Sequence, residues 1–126
     1  MIKAVLFDVD GVLIDSFEAN LKFFQTLTKH FGYPEPTRED YKKWFHFPLR
    51  DTLKGLTGIS SDAELEPIWQ RAVNKVDYDA SLVGSPEGLS EVLTELSSQY
   101  PLGVVTSRIR SAVYELPQMA AIQSHF

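Results

Sequence analysis

Two short apolar runs near opposite ends of the chain have the pattern of buried β-strands. Ile2–Val9 is apolar on both faces, which is typical of a strand covered on both sides in a parallel sheet. Tyr100–Val105 forms the second run and ends in the polar pair Thr106-Ser107. We therefore expect two parallel strands, each followed at once by polar residues.

Between and after these runs, apolar residues recur at the three- and four-residue spacing of amphipathic helices. Ser16 can cap the first helix and Gly32 can end it, while Pro86 occupies the favoured first position of a later one. Pro67 should kink its helix or make it restart, and Pro117 should interrupt or end the helix before it. The predicted helices cover residues 17–31, 37–45, 49–56, 61–76, 86–96 and 109–116.

The order of these elements predicts an α/β fold with two domains. Residues 1–15 and 82–126 form a partial Rossmann-like parallel-sheet core, in which a right-handed crossover joins the two strands. Residues 16–81 form an inserted all-α helical cap domain. Ligands bind at the carboxyl ends of the strands in open α/β sheets, so the residues after the two strands are expected to be neighbours in space.

The composition excludes several classes of protein. The formal net charge is −5 and Lys and Arg form no cluster, which argues against nucleic-acid binding. The chain has no cysteine, which excludes disulfides and thiolate metal sites. The apolar stretch near Met1 is too short for a signal peptide or a membrane span, so we expect a soluble, cytoplasmic protein that binds no membrane.

The candidate chemistry lies where the first apolar run ends, at Asp8, Asp10 and Gly11. Side chains alternate along a strand, so Asp8 and Asp10 would share a face if the strand continued, but Gly11 implies a sharp bend that frees Asp10 to turn towards Asp8. Two crowded carboxylates repel each other, and a hard cation between their oxygens would relieve that repulsion. The pair can also divide catalytic roles, with one carboxylate attacking and the other transferring a proton. The alternative is a strand that simply runs into an Asp-Gly turn.

The stretch Asp8–Ser16 resembles the first motif of the haloacid dehalogenase superfamily, and Leu102–Ser107 resembles its second motif. The similarity is to the helical-cap branch, whose members are like phosphoglycolate phosphatase and β-phosphoglucomutase. It implies a Mg²⁺-dependent phosphatase that hydrolyses a small phosphorylated metabolite through an aspartyl-phosphate intermediate. Phosphate esters are favoured over halides, because an alkoxide leaving group needs a proton and the dehalogenases lack the second acid, here Asp10.

The resemblance also implies a role for each site residue. Asp8 would attack phosphorus, and Asp10 would protonate the leaving oxygen and later activate water. Mg²⁺ would bind the Asp8 carboxylate and the Asp10 backbone carbonyl. Thr106 would hydrogen-bond a phosphoryl oxygen, with help from backbone N–H groups near Gly11 and Ser107.

Several candidate residues have simpler alternative interpretations. Thr106 and Ser107 can cap the helix expected after the second strand. Arg50 lies in the cap, where related enzymes often place an arginine that binds substrate, but it can also pair with a nearby acid in solvent. Ser16 can either cap the first helix or help to shape the entrance to the site.

The resemblance covers only the first half of the family's fold. The family places a Lys or Arg and a further acid after the second strand. Here no acid follows Glu115, and the late cations Arg108 and Arg110 suit the start of a helix better. We therefore expect an N-terminal part of an enzyme, with little activity alone and with unpaired sheet edges that favour self-association. The alternatives are a phosphomutase of the β-phosphoglucomutase type and a non-catalytic binding module.

Overall fold

The computed structural model describes residues 1–126 and divides the chain into two compact units. The core unit combines Met1–Phe17 with Ala80–Phe126, and the helical unit consists of Glu18–Asp79. Both boundaries lie two residues from those expected from the sequence. The chain therefore passes between the units twice, and the core unit is built from its two ends.

The core unit contains a two-stranded parallel sheet. Strand β1 (Val5–Phe7) pairs with β2 (Leu102–Val104), and the register places Val5 opposite Leu102 and Phe7 opposite Val104. One residue further, the Val105 N–H donates to the Phe7 carbonyl at 2.8 Å. The predicted parallel pairing and the α/β fold class are confirmed, and the two chain segments that follow the strands leave the same edge of the sheet.

The expectation that Ile2–Val9 is covered on both sides is wrong. Ile2 is 63% exposed and Leu6 is 68% exposed, and only three residues of the run form a strand. The reason is the small size of the sheet, because a strand with one neighbour and an open second face leaves alternate side chains in solvent. Val9, at the end of the run, is fully buried.

The segment after β1 folds back on itself around the Val9 carbonyl. That carbonyl accepts hydrogen bonds from the N–H groups of Val12, Leu13 and Ile14 at 3.2, 2.9 and 3.1 Å. Leu13 and Ile14 are fully buried, as Val9 is, so apolar side chains anchor the turn. Gly11 has a φ of +80°, a backbone conformation that residues with a Cβ rarely adopt. The bend expected at this glycine is confirmed.

Hydrogen bonds join the two segments where the chain leaves and re-enters the core unit. The Asp15 N–H donates to the Gly84 carbonyl at 2.9 Å, and the Gly84 N–H donates to the Asp15 carbonyl at 2.8 Å. The Gln118 side-chain amide donates to the carbonyls of Ala80 and Val83 at 3.2 and 2.9 Å. The bonds between Asp15 and Gly84 thus join the segment that leaves the core unit to the one that re-enters it, and Gln118 ties the re-entering segment to a later part of the core unit.

The rest of the regular structure is helical. None of the helices combines the length and the apolar character that crossing a membrane requires. Short 3-10 turns occupy Ala80–Leu82, Arg110–Ala112 and Gln123–His125. The α-helices are α1 (Phe17–His30), α2 (Arg38–Lys42), α3 (Leu49–Thr57), α4 (Asp62–Val73), α5 (Leu89–Gln99) and α6 (Pro117–Ala120).

Local sequence signals explain most helices of the helical unit. The apolar stripe of α1 is buried at Leu21, Phe24 and Leu27, and the Phe24 ring packs against Tyr41 with 5.1 Å between centroids. Helix α2 begins at a capping box, in which Thr37 and Asp40 each bond the other's backbone N–H. The bonds from Thr37 hold the pKa of Asp40 below its usual range, because they favour the ionised carboxylate.

Several predicted helix boundaries are wrong, since α2 ends at Lys42 rather than residue 45 and α4 ends at Val73 rather than residue 76. Helix α5 begins at Leu89 rather than Pro86, because Gly88 has a φ of +77° and cannot belong to a right-handed helix. Helix α4 runs through Pro67, so of the kink or restart expected there, the restart does not occur. The carbonyl that Pro67 leaves without its helical partner belongs to Ala63, an exposed residue, so water can satisfy it.

The predicted helix over residues 109–116 is also wrong. Only the 3-10 turn Arg110–Ala112 forms there, and Pro117 begins α6 instead of ending a helix. A proline suits that first position because its missing N–H would have no helical partner there. The buried apolar residues of this stretch recur every third position, a spacing that successive short turns also produce. They are Val113, Leu116, Met119 and Ile122.

Gly55 in α3 provides a test of packing in the helical unit. A Cβ added at Gly55 would overlap the six-membered ring of Trp44. We expect Gly55→Ala to lower the free energy of unfolding by about 1 kcal/mol or more, because the indole must move. The same change at an unobstructed helix position raises it by about 0.5–1 kcal/mol. Urea denaturation decides between these opposite signs.

A Trp44→Leu background supplies the matched control. There the overlapping ring is gone, so Gly55→Ala should become stabilising, and the difference between the two backgrounds measures the contact. Stabilisation of equal size in both backgrounds would show that Trp44 does not pack on Gly55.

Candidate active site

Asp8 is the more open of the two carboxylates that follow β1. It is exposed, and its Oδ1 accepts the N–H of Val9 at 2.7 Å. That bond from the backbone of the next residue orients the side chain through Oδ1 alone. An exposed carboxylate oriented in this way can approach an electrophile from solvent.

Asp10 lies in a different environment two residues later. Arg108 Nε donates to Oδ1 and Oδ2 of Asp10 at 3.0 and 2.8 Å, and Arg108 Nη2 donates to Oδ1 at 2.7 Å. The Ser16 hydroxyl also donates to Oδ1. The Asp10 and Arg108 side chains are 17% and 18% exposed. The carboxylate is therefore held from both sides in a partly buried, charge-assisted arrangement.

The loop after β2 brings Thr106 and Arg108 to the same edge. Thr106 Oγ1 accepts the backbone N–H of Arg108 at 3.0 Å, which closes a local turn. Its hydroxyl proton can still be donated to a ligand. The alternative that Thr106 and Ser107 cap a following α-helix fails, because no α-helix follows before Pro117. Ser107 is exposed, and its position alone does not define a role for it.

The expected proximity of the two polar segments is observed. Residues 10 and 108 are 98 positions apart in sequence, yet their side chains form a bidentate ion pair. The Gly11 N–H donates to the Ile14 carbonyl at 2.8 Å and so is already used within the loop. The geometry therefore supports a role for Gly11 in forming the turn, and its N–H is not available to a phosphoryl oxygen in this arrangement.

Arg50 belongs to a charged cluster in the helical unit. Its Nη1 lies 3.4 Å from Asp62 Oδ1, and its guanidinium lies 4.1 Å from the centroid of the Trp69 ring. Lys54 Nζ approaches the same Asp62 oxygen at 2.8 Å. Lys54 and then Arg50 hold the pKa of Asp62 below its ordinary value of 3.8. The simpler interpretation of Arg50, pairing with an acid, is thus realised, and its binding of substrate stays a prediction.

The interpretation of Arg108 as a helix-start residue missed its contact with Asp10. The signal was present, because Arg108 follows the second strand within four residues, at the edge where Asp10 was also expected. Ser16 was expected to cap α1 or to shape the entrance to the site, and neither expectation named the contact that its hydroxyl makes with Asp10. That side chain is fully buried and donates to Asp10.

The donor atoms at this edge fit Mg²⁺ in type. No group of three or more His, Cys, Asp or Glu side chains in residues 1–126 is arranged to bind a metal ion. Mg²⁺, however, prefers oxygen ligands, often takes only one or two carboxylates and keeps several waters. Asp8 offers an exposed carboxylate, whereas the Asp10 carboxylate already accepts bonds from Arg108 and Ser16.

Comparisons with known proteins agree with this geometry. The sequence pattern of the family described as haloacid dehalogenase-like hydrolase matches residues 5–126. Pyrophosphatase PpaX of Anoxybacillus flavithermus is 31% identical over 126 residues, which are 99% of this chain and 57% of that protein. The chain thus spans a little over half the length of this curated relative.

Solved structures show the same fold. A haloacid dehalogenase-like hydrolase of Streptococcus pneumoniae superposes with a TM-score of 0.79 at 26% identity, over 99% of this chain and 59% of that one. A candidate phosphoglycolate phosphatase of Lactobacillus plantarum gives a TM-score of 0.82 at 18% identity, over 98% of this chain and 58% of that one. The second likeness is one of fold alone.

The charged cluster around Asp62 predicts a pH-dependent contribution to stability. The pKa of Asp62 is lowered in the folded chain, so its stabilising effect is present above pH 3.8 and is lost as the pH falls through the lower folded value. Asp62→Asn should therefore reduce the urea midpoint at pH 7, and the difference from the unaltered chain should shrink below about pH 4. High salt should shrink it too.

Asp51→Asn is the matched control. Asp51 also lies in the first turn of a helix, so both variants lose the same type of interaction with a helix dipole, but only Asp62 pairs with Lys54 and Arg50. Equal losses in the two variants, at every pH and salt concentration, would contradict a stabilising role for these two pairs.

Proposed function

Because the chain belongs to the haloacid dehalogenase-like hydrolases, we propose that it supplies the nucleophile and the proton-transfer group of a phosphatase. The observation that carries the proposal is the contrast between an exposed Asp8 and a held Asp10, at the edge where the loop after β2 also lies. Two carboxylates in different environments can take different chemical roles. The substrate would be a small phosphorylated metabolite.

In the first step an Asp8 oxygen attacks phosphorus. The new bond between the Asp8 oxygen and phosphorus, an acyl phosphate, forms as the bond between phosphorus and the leaving oxygen breaks, and Asp10 gives its proton to that oxygen. The exposed position of Asp8 suits this attack, because the carboxylate needs a clear approach in line with the leaving group. Asp10 can act only after its carboxylate has left the bonds to Arg108 and has taken a proton from solvent.

In the second step water attacks the phosphorus of the aspartyl phosphate. Asp10 takes a proton from that water, the bond from phosphorus to Asp8 breaks, and inorganic phosphate leaves. Asp8 is regenerated as a carboxylate, and Asp10 has its proton back for the next cycle. The two carboxylates thus complete hydrolysis without a further group that gains or loses a proton.

The remaining residues would bind the phosphoryl group. The Thr106 hydroxyl is oriented by its bond from the Arg108 N–H and can donate to a phosphoryl oxygen, with Ser107 beside it. Mg²⁺, held by the Asp8 carboxylate and the Asp10 backbone carbonyl, would supply positive charge that offsets the repulsion between an anionic nucleophile and an anionic substrate. Arg50 is the further residue proposed to bind substrate.

The substrate class rests on chemistry shared by the relatives. One is called a pyrophosphatase, and a structural neighbour is called a candidate phosphoglycolate phosphatase. Pyrophosphate and a phosphomonoester both present a terminal phosphoryl group and an oxygen leaving group that a proton assists. Parallel assays with pyrophosphate, 2-phosphoglycolate and sugar phosphates would identify the preferred class, and the appearance of an isomeric sugar phosphate would reveal a phosphomutase.

The nucleophile provides the sharpest test. Asp8→Asn should lower kcat for Mg²⁺-dependent hydrolysis of p-nitrophenyl phosphate by the full-length protein by at least about a thousandfold, because the amide cannot form the phosphoenzyme. Release of p-nitrophenol, followed by its absorbance, measures the rate.

Glu91→Gln serves as the control for loss of a carboxylate. Glu91 is exposed in the first turn of α5 and should tolerate the change without loss of activity. Activity of the Asp8→Asn variant equal to that of Glu91→Gln would exclude Asp8 as the nucleophile.

A further inference from the structure

The ion pair between Asp10 and Arg108 blocks the carboxylate that the proposed mechanism requires. Both oxygens of Asp10 accept hydrogen bonds from the guanidinium, at 2.7 to 3.0 Å, and Ser16 adds another donor. An oxygen that faces a guanidinium cannot also face the leaving group of a substrate. In this arrangement Asp10 therefore cannot reach the leaving oxygen of a substrate.

Arg108 is well placed to accept a different partner. It lies two residues after Thr106, and its N–H donates to the Thr106 hydroxyl, which is the group expected to bind phosphate. A guanidinium presents paired N–H donors that match phosphate oxygens as well as they match a carboxylate. Phosphate carries up to two negative charges, whereas Asp10 carries one.

We propose that Arg108 exchanges the Asp10 carboxylate for the phosphoryl oxygens of the substrate, and that this exchange releases Asp10 for proton transfer. The inference rests on the proposed phosphatase function and adds a substrate-binding residue to it. Without an anion, Arg108 holds Asp10 away from the reaction. With one, the same guanidinium binds the phosphoryl group, and the freed Asp10 carboxylate takes a proton from solvent and turns towards the leaving oxygen.

Partial burial favours exchange over simple opening. The two side chains are only 17% and 18% exposed, so breaking the pair would leave two poorly solvated charges without partners. A phosphoryl group that arrives beside Thr106 gives Arg108 a new partner as the old one leaves. The cost of separating the pair is thereby reduced only when substrate is bound, which links the release of Asp10 to the presence of phosphate.

The test measures the binding of inorganic phosphate, by calorimetry without turnover, to the full-length protein in four forms. These are the unaltered protein, Asp10→Asn, Arg108→Gln and the double variant. If Asp10 competes for Arg108, Asp10→Asn should tighten phosphate binding about fivefold or more when Arg108 is present and much less when it is replaced. Arg108→Gln alone should weaken binding.

The double variant separates exchange from simple charge repulsion. Removal of a negative charge near the site could improve phosphate binding without any exchange, but that gain would be equal with and without the Arg108 guanidinium. Equal gains in the two backgrounds, or unchanged affinity in Arg108→Gln, would overturn the proposal.

A second readout needs no substitution. The Nε–H signal of Arg108 in ¹⁵N NMR spectra should shift as phosphate is added to the unaltered protein, and an unmoved signal at saturating phosphate would also overturn the proposal. Failure of these binding tests leaves the Asp8→Asn result untouched. Conversely, the binding tests could succeed while Asp8→Asn loses no hydrolysis. That pair of results would overturn the proposed phosphatase mechanism and leave the exchange at Arg108 standing.

Discussion

The parallel pairing of β1 with β2 is the constraint on which the candidate site depends. With Phe7 opposite Val104, the segments that follow the two strands leave the same edge, although they are far apart in sequence. An antiparallel pair would send them to opposite edges. Only three residue pairs form this ladder, so the site also needs the hydrogen bond from Val105 to Phe7 and the pair between Asp10 and Arg108 to hold the segments together.

The buried turn after β1 explains why two carboxylates so close in sequence differ so much. Val9 lies between them, is fully buried, and gathers three N–H groups on its carbonyl. This anchoring leaves Asp8 on the exposed side while the chain reverses at Gly11 and carries Asp10 towards Ser16. The division of labour proposed for the carboxylates is thus a consequence of apolar burial at the residue that separates them.

Local signals predicted most of the fold, whereas the contacts of the site required the structure. The parallel strands, α1 and α3 follow from apolar periodicity, caps and glycines, which act over a few residues. The start of α5 was missed because Pro86 and Gly88 carry opposing signals, and the left-handed glycine wins. The partner of Arg108 could not be identified locally, because no short-range pattern indicates which carboxylate a long side chain will reach once the strands pair.

Arg50 and Arg108 are each paired with a carboxylate of the chain, but the two ion pairs differ in burial and geometry. Each arginine has an internal carboxylate that orders its guanidinium when no ligand is bound, and each carboxylate would compete with an anionic ligand. Asp62 is 69% exposed and lies 3.4 Å from Arg50, so water can replace it at little cost. Asp10 makes closer, bidentate bonds in a partly buried setting, so its replacement requires a ligand with comparable geometry and at least equal charge. Under the proposed exchange, Arg108 would therefore discriminate for phosphate more strongly than Arg50, and its selectivity would act on the carboxylate that the proposed mechanism needs to move.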